Sequence, residues 1–250
     1  YTGDATCDCL AVGAIAIGGI GNNGSCQNYD SNSCLFDAPP TPCNVGCFSI
    51  VIGGFQNYSA GNYSAIVGGR CNRSTGISSF IASGVNNCAS GCSTFIGGGC
   101  SNTSLAYFGH IGNGLYNYLT NSLEDGACSF AATIGGGVGH YTQGGIFSIA
   151  SQCFTSPFCS IFDAGIMSTI GGGFQHNACG SYSTIGGGRN NTIGLNASEG
   201  TVAGGVSNLV CGIAGFVGGG VGNNANGSCS TVSGGYANNA TGVGAFIGGG

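Results

Sequence analysis

The run SIVIGGFQNYSAGNY (residues 49–63) is followed by SAIVGGRCNRSTGIS (64–78), SFIASGVNNCASGCS (79–93) and TFIGGGCSNTSLAYF (94–108). Aligned, the four segments share a small residue, an Ile or Val two places later, a glycine-rich pair, and an Asn six places after the Ile or Val. Taking that Ile or Val as position 0, the series continues outward. It comprises Val51, Ile66, Ile81, Ile96 and Ile111, then Ile134 and Ile149, then Ile170 and Ile185, and finally Val202, Val217, Val232 and Ile247. Spacing within each group is 15, and between groups it is 23, 21 and 17, one period plus an insertion. An earlier member at Ile17 precedes Val51 by 34.

A unit of this length cannot bury a face by itself, so copies must stack. Within it, two short stretches of alternating character are separated by glycines, which reads as two short strands closed by glycines at positive φ. No helical period competes. The spacing predicts an all-β fold, a parallel β-solenoid (β-roll) expected to be left-handed, with 15-residue turns, two short strands per turn and no helices. By period two the inward positions are 0, the small residue at −2 (Ser49, Ser64, Ser79, Ser168, Ser183), the Asn at +6 and the Ala, Ser or Thr at +8. Residues 1–50 read as an irregular, cysteine-rich region with the first turn and a long insertion. Residues 51–250 read as about 13 turns, with insertions near 115–128, 151–165 and 190–200.

Composition narrows the function. Of 250 residues, 54 are Gly and 16 Cys, while Lys+Arg number 3 and Asp+Glu 8, for a net charge of −5. With three scattered cations, Arg70, Arg73 and Arg189, the chain has nothing to neutralise a nucleic-acid backbone. The most apolar stretch, Leu10 to Ile20, is about half the ~20 residues of a membrane span, so no span is expected. An even, high cysteine count without zinc-finger spacing points to disulfides and an oxidising compartment. Cys26, Cys34, Cys43 and Cys47 are expected to staple the first insertion. Cys153 and Cys159 would close another, and Cys71, Cys88, Cys92 and Cys100 would cross-link consecutive turns. A chain opening at Tyr1 reads as already processed, and the expected location is extracellular or on a virion surface.

The glycine-rich "STIGGG…N…G" strings over residues 48–250 resemble the head repeats of trimeric autotransporter adhesins, and similar repeats in phage and large-virus fibre proteins. That resemblance implies a left-handed parallel β-roll and an assembling surface protein.

Catalysis and metal binding find no support. His140 and His176 occupy the +6 position, where they substitute for Asn in a polar stack, and His110 lies elsewhere without partners in sequence. The carboxylates Asp4, Asp8, Asp30, Asp37, Glu124, Asp125, Asp163 and Glu199 lie in the N-terminal region or in insertions. No Asp follows the Gly-Gly pairs in the phase a calcium roll requires. The expectation is no enzyme, no metal and no cofactor.

Nine N-x-[S/T] sequons occur. Those at Asn57, Asn72 and Asn102 arise because an inward Asn at +6 precedes a Ser at +8, so they are expected to be buried and unmodified. Asn23, Asn62, Asn190, Asn196, Asn226 and Asn239 are the glycosylation candidates, and attached glycans would help keep a chain of mean hydropathy +0.28 in solution. The outward −1 position carries Phe80, Phe95, Phe216 and Phe246, with Thr133, Thr169, Thr184, Thr201 and Thr231 on other turns. With Ile247, the phenylalanines form the expected assembly face. The sequence ends in phase at Phe246-Ile247-Gly248-Gly249-Gly250, which predicts head-to-tail stacking of copies. The function expected is a structural subunit of an extracellular fibre. An adhesin or receptor-binding head is the alternative, and an ice- or glycan-binding module a remote third.

Overall fold

A computed structural model of the chain describes residues 46–119, 131–140 and 166–250, and the backbone of the strands Ile15–Ala16, Tyr29–Asp30, Leu35–Phe36, Ile146–Ser148 and Cys153–Thr155. It divides into two compact units, Tyr1–Gly114 and Leu115–Gly250. Both are parallel β-solenoids, and the described residues contain no helix.

In the first unit Ile15–Ala16, Ile50–Val51, Ala65–Ile66, Phe80–Ile81, Phe95–Ile96 and His110–Ile111 pair in that order, all parallel. A second parallel sheet runs through Tyr58–Ser59, Arg73–Ser74, Cys88–Ala89 and Thr103–Ser104. In the second unit the first sheet is Thr133–Ile134, Thr169–Ile170, Thr184–Ile185, Thr201–Val202, Phe216–Val217, Thr231–Val232 and Phe246–Ile247. Its second sheet is Asn177–Ala178, Thr192–Ile193, Leu209–Val210, Asn224–Ala225 and Asn239–Ala240. Each turn has, besides its two strands, a single bridged residue at +4. These form the series Phe55, Arg70, Val85, Cys100 in the first unit and Leu115, Val138, Phe174, Arg189, Val206, Val221, Tyr236 in the second. This third column was not expected.

Two members of the expected series are displaced. Ala16, not Ile17, pairs with Val51. Ile149 itself lies outside the described residues, but the column passes directly from Ile134 to Ile170, and the segment between contributes an antiparallel pair, Ile146–Ser148 with Cys153–Thr155. The reason lies at +3. Every turn has a glycine there, from Gly54 to Gly235, at φ between 83° and 118°. Counting from Ala16 places Gly19 at +3, whereas counting from Ile149 places Gln152 there, which resists that conformation.

The expected inward positions are buried: 0 (Val51 to Val232), −2 (Ser49, Ser64, Ser79, Ser168, Ser183), +6 and +8. The glycines at +10 have a different role from that expected. Gly61, Gly76, Gly91, Gly180, Gly212 and Gly227 are absent from the positive-φ set. They are needed because a Cβ at any of them would fall under 3.0 Å from the backbone of the next turn, as Gly61 against Gly76. Two other corners, at −3 and +5, take positive φ with ordinary side chains. Examples are Phe48 (57°), Tyr63 (58°), Tyr182 (58°) and Ala214 (52°) at −3, and Gln56 (50°), Cys71 (57°) and Asn190 (55°) at +5. Among the described residues, none of the 20 non-glycine residues at positive φ is Val, Ile or Thr, the side chains that tolerate it least.

These corners turn amides around. Amides at −1, +1, +4, +7 and +9 donate to carbonyls of the following turn, as Ile50 to Ser64, Ile52 to Ile66, Phe55 to Gly69, Tyr58 to Asn72 and Ala60 to Ser74. Amides of left-handed residues donate to the preceding turn instead, as Tyr63 to Cys47 and Cys71 to Phe55.

The core also shows a size match the consensus obscured. The +8 residue faces the −2 residue five places later. Ser59 and Ser74 hydrogen-bond to Ser64 and Ser79 at 2.7 and 2.6 Å. Where +8 is large, −2 is small: Leu119 precedes Ala132, Ile193 precedes Gly200, and Val210 precedes Gly215. A Cβ on Gly215 would lie 2.7 Å from Val210 Cγ1.

Candidate functional surfaces

The +6 side chains form the most ordered polar feature of the coil. In the first unit Asn57, Asn72, Asn87 and Asn102 are buried one above another. The Oδ1 atoms of Asn57, Asn72 and Asn87 each accept the backbone N–H of the next Asn at 3.0 Å and a second bond from its Nδ2 at 3.1–3.2 Å. The same Nδ2 donates to two glycine carbonyls, for Asn87 those of the neighbouring turn's Gly99 at 3.1 Å and, in place of the first glycine, of Ser83 at 3.2 Å. One side chain therefore satisfies backbone groups on both sides of it, which is why the position is Asn and not an apolar residue.

The second unit interrupts this ladder with His140 and His176, as expected for residues substituting at +6. The rings stack with centroids 5.0 Å apart and planes within 3°. The His176 N–H donates to His140 Nδ1 at 3.2 Å and the Asn191 N–H to His176 Nδ1 at 3.1 Å. An Nδ1 that accepts is unprotonated, so each ring is the neutral Nε2–H tautomer. Both Nε2 atoms are buried and complete no hydrogen bond, although Gly136 and Gly173 carbonyls lie beside that of His140. Burial, then repulsion from His176, lowers His140 to about 3, and burial lowers His176 in the same direction. Insertions do not break the ladder: Asn208 N–H reaches Asn191 Oδ1 across 17 residues, and His140 N–H reaches Asn117 Oδ1 across 23.

The sequons divide as the repeat phase implies. Asn57, Asn72 and Asn102 are fully buried, whereas Asn62, Asn190, Asn196, Asn226 and Asn239 are exposed. Asn226 Nδ2, the atom a glycan would occupy, donates to Asn239 Oδ1 at 2.8 Å. Asn23 lies outside the described residues.

The cysteines do not form the cross-links expected between turns. Cys88, Cys92 and Cys100 are free thiols, at +7, +11 and +4. Cys71 stands at +5 with its Sγ directed at Gln56 Oε1, 4.0 Å away. Cysteines of adjacent turns meet within disulfide range when they share a column, and these four stand in four columns. Cys211 and Cys229, not singled out by the sequence, are exposed free thiols. Partial desolvation by its neighbours nevertheless pushes the pKa of the Cys211 thiol above its ordinary value. Cys47 occupies the corner before Phe48, while Cys26, Cys34, Cys43, Cys159 and the Cys153 side chain lie outside the described residues.

The outward faces of the two units differ in chemistry. In the first, Phe80, Phe95 and His110 stack at 5.6 and 4.9 Å with planes within 9°, and Ile52 and Val67 are exposed at +1 on the two preceding turns. Glycine at +1 lets a ring lean over: a Cβ on Gly97 would lie 3.3 Å from Phe95. In the second, Thr133, Thr169, Thr184 and Thr201 are consecutive, and the exposed Phe216 and Phe246 are separated by Thr231. The expected assembly residues are thus a continuous strip in Phe80 and Phe95 and isolated rings in Phe216 and Phe246, with Ile247 half-buried. Among the described residues, no three His, Cys, Asp or Glu side chains converge in a way that could hold a metal ion. No helix of the described residues is long and apolar enough to cross a membrane. No protein-family model and no curated protein matches the chain.

Proposed function

We propose that the protein is a structural subunit of an extracellular fibre or filament, built by stacking copies along the coil, without catalytic activity, metal or cofactor. The observation that carries this reading is the sameness of the turns. Among the described residues the turns offer their forward amides in one pattern and accept them in the same pattern, at 2.7–3.1 Å, whatever their outward side chains. A turn of one copy is therefore complementary to a turn of another, and an interface between unlike ends propagates instead of closing. The uncharged strip of Ile52, Val67, Phe80 and Phe95 would add side-to-side contact. The resemblance of the repeats to adhesin heads and viral fibre proteins points the same way, as do the exposed sequons, which suit a glycosylated surface protein.

Sedimentation and electron microscopy of the purified chain over a wide concentration range test the proposal. Elongated particles whose length grows with concentration are expected. A chain that stays monomeric throughout, or closes into a trimer of fixed size, overturns the fibre reading, and the closed trimer favours an adhesin head.

A further inference from the structure

Over residues 46–114, the continuously described coil of the first unit carries two formal charges, and they stand in one turn. Between Asp37 and Glu124 the sequence has no acidic residue, and its cations there are Arg70 and Arg73. In a chain of net charge −5 this makes the coil locally positive. Both side chains are exposed, at +4 and +7, on either side of the left-handed corner at Cys71.

Their surroundings hold them. Arg70 is bridged to Phe55 of the preceding turn and Arg73 is paired with Tyr58. The guanidinium carbons lie 5.6 Å from the Phe55 ring centroid and 6.0 Å from that of Tyr58. A guanidinium stacked on a ring keeps its N–H edge free, and part of the entropy lost on binding has already been given up. In the following turn the same two columns carry Val85 and Cys88, both shorter than arginine, which leaves a step in the outward surface beside the two arginine positions. Hydroxyls border that step: Thr75 Oγ1 and Ser90 Oγ lie 2.9 Å apart, and Ser90 Oγ is 3.2 Å from Cys88 Sγ.

We propose that Arg70 and Arg73 form a binding site for a single oxyanion, a carboxylate or sulfate ester, carried on an otherwise neutral saccharide. Two fixed forks suit one planar or tetrahedral oxyanion. The small apolar step and its hydroxyl border suit the C–H and O–H faces of a sugar ring. Two cations in a net-negative chain do not suit a nucleic acid, which presents a charge every ~1.7 Å. The inference is independent of the fibre reading, since it concerns one turn of a single copy.

Calorimetric titration of the whole chain with oligogalacturonate, sulfated dextran oligomers and neutral dextran tests it. One or both charged saccharides should bind, and dextran should not. The arm that binds identifies the oxyanion. Binding should weaken as ionic strength rises from about 0.01 M to about 0.15 M, where the screening length falls from about 30 Å to about 8 Å. R70Q/R73Q should lose about tenfold or more in affinity, and R70K/R73K, which keeps charge but not the fork, should lose a large part of it. R189Q, in the same column of the second unit but without a second arginine, should bind as the parent does. Equal binding of dextran, undiminished binding by R70Q/R73Q, an equal loss in R189Q, or tighter binding of single-stranded RNA overturns the proposal. Circular dichroism identical to the parent establishes that the variants are folded.

Discussion

Acid should weaken the second unit through its two stacked histidines. Each must stay neutral, because its Nδ1 accepts an N–H from the next turn and a proton there would set donor against donor. The unfolded chain has no such constraint and protonates near 6.5, while the folded His140 resists to about 3. The unfolded state therefore binds more protons between these values, and stability falls as pH drops below about 6.5. Each pH unit is worth about 1.4 kcal/mol per histidine, so at about pH 4.5 His140 alone costs about 2.7 kcal/mol and His176 adds in the same direction. Hydrogen exchange of the His176 and Asn191 amides, corrected for intrinsic rate, reads the opening free energy where the rings sit. It should fall by that amount or more from pH 7, and H140N/H176N, which restores the asparagine ladder, should flatten the profile. The reasoning fails if both rings titrate near 6.5 in the folded protein, or if parent and double variant show the same pH dependence.

Other expectations concern the backbone. Ala214→Gly, at φ 52°, should stabilise by about 0.5–1 kcal/mol in urea unfolding and Ala214→Val should destabilise, since only the β-branched change adds strain at a left-handed corner. Gly61→Ala should cost about 1–3 kcal/mol by the same assay, because its Cβ would meet the Gly76 carbonyl. Asn87→Ala removes a side chain that serves Asn102, Gly99 and Ser83, and should lower stability by about 3–5 kcal/mol. After expression through an N-glycosylating secretory pathway, peptide mass spectrometry of the folded protein should find Asn72 unmodified and Asn239 modified. A glycan on Asn72 in folded material would contradict the ladder, whose Nδ2 atoms are fully engaged.

The sequence disclosed the coil because one side chain per turn must stack on its own kind, and Ile66 above Val51 writes that requirement every fifteen residues. It disclosed the ladder, and with it the burial of Asn72 and the place of His140 and His176, because a polar residue held in phase with a core position has to be paired. It misled where apolar residues were weighted over glycine. Ile17 and Ile149 look like position 0, yet the glycine at +3 is the residue type a backbone conformation demands, and +3 is Gly19 counted from Ala16 but Ile20 from Ile17 and Gln152 from Ile149. The left-handed corners at Phe48 and Tyr63 escaped notice because nothing marks them except the absence of Val, Ile and Thr. The cysteines mislead for a related reason: standing on successive turns does not bring side chains together unless they share a column, and Cys88, Cys92 and Cys100 stand in different columns.

The matching of +8 to −2 bears on how such a chain lengthens and shortens. Excising fifteen residues is not neutral as to where the cut falls. Removing residues 204–218, between two glycine pairs, deletes Val210 together with Gly215 and joins intact partners. Removing residues 211–225 leaves Val210 facing Ser230, a large residue against one evolved opposite Ala225. Recombination within an array of this kind should leave descendants whose junctions gather at the glycine pairs, so that whole modules with their own inner complement are inherited, and not arbitrary fifteen-residue windows.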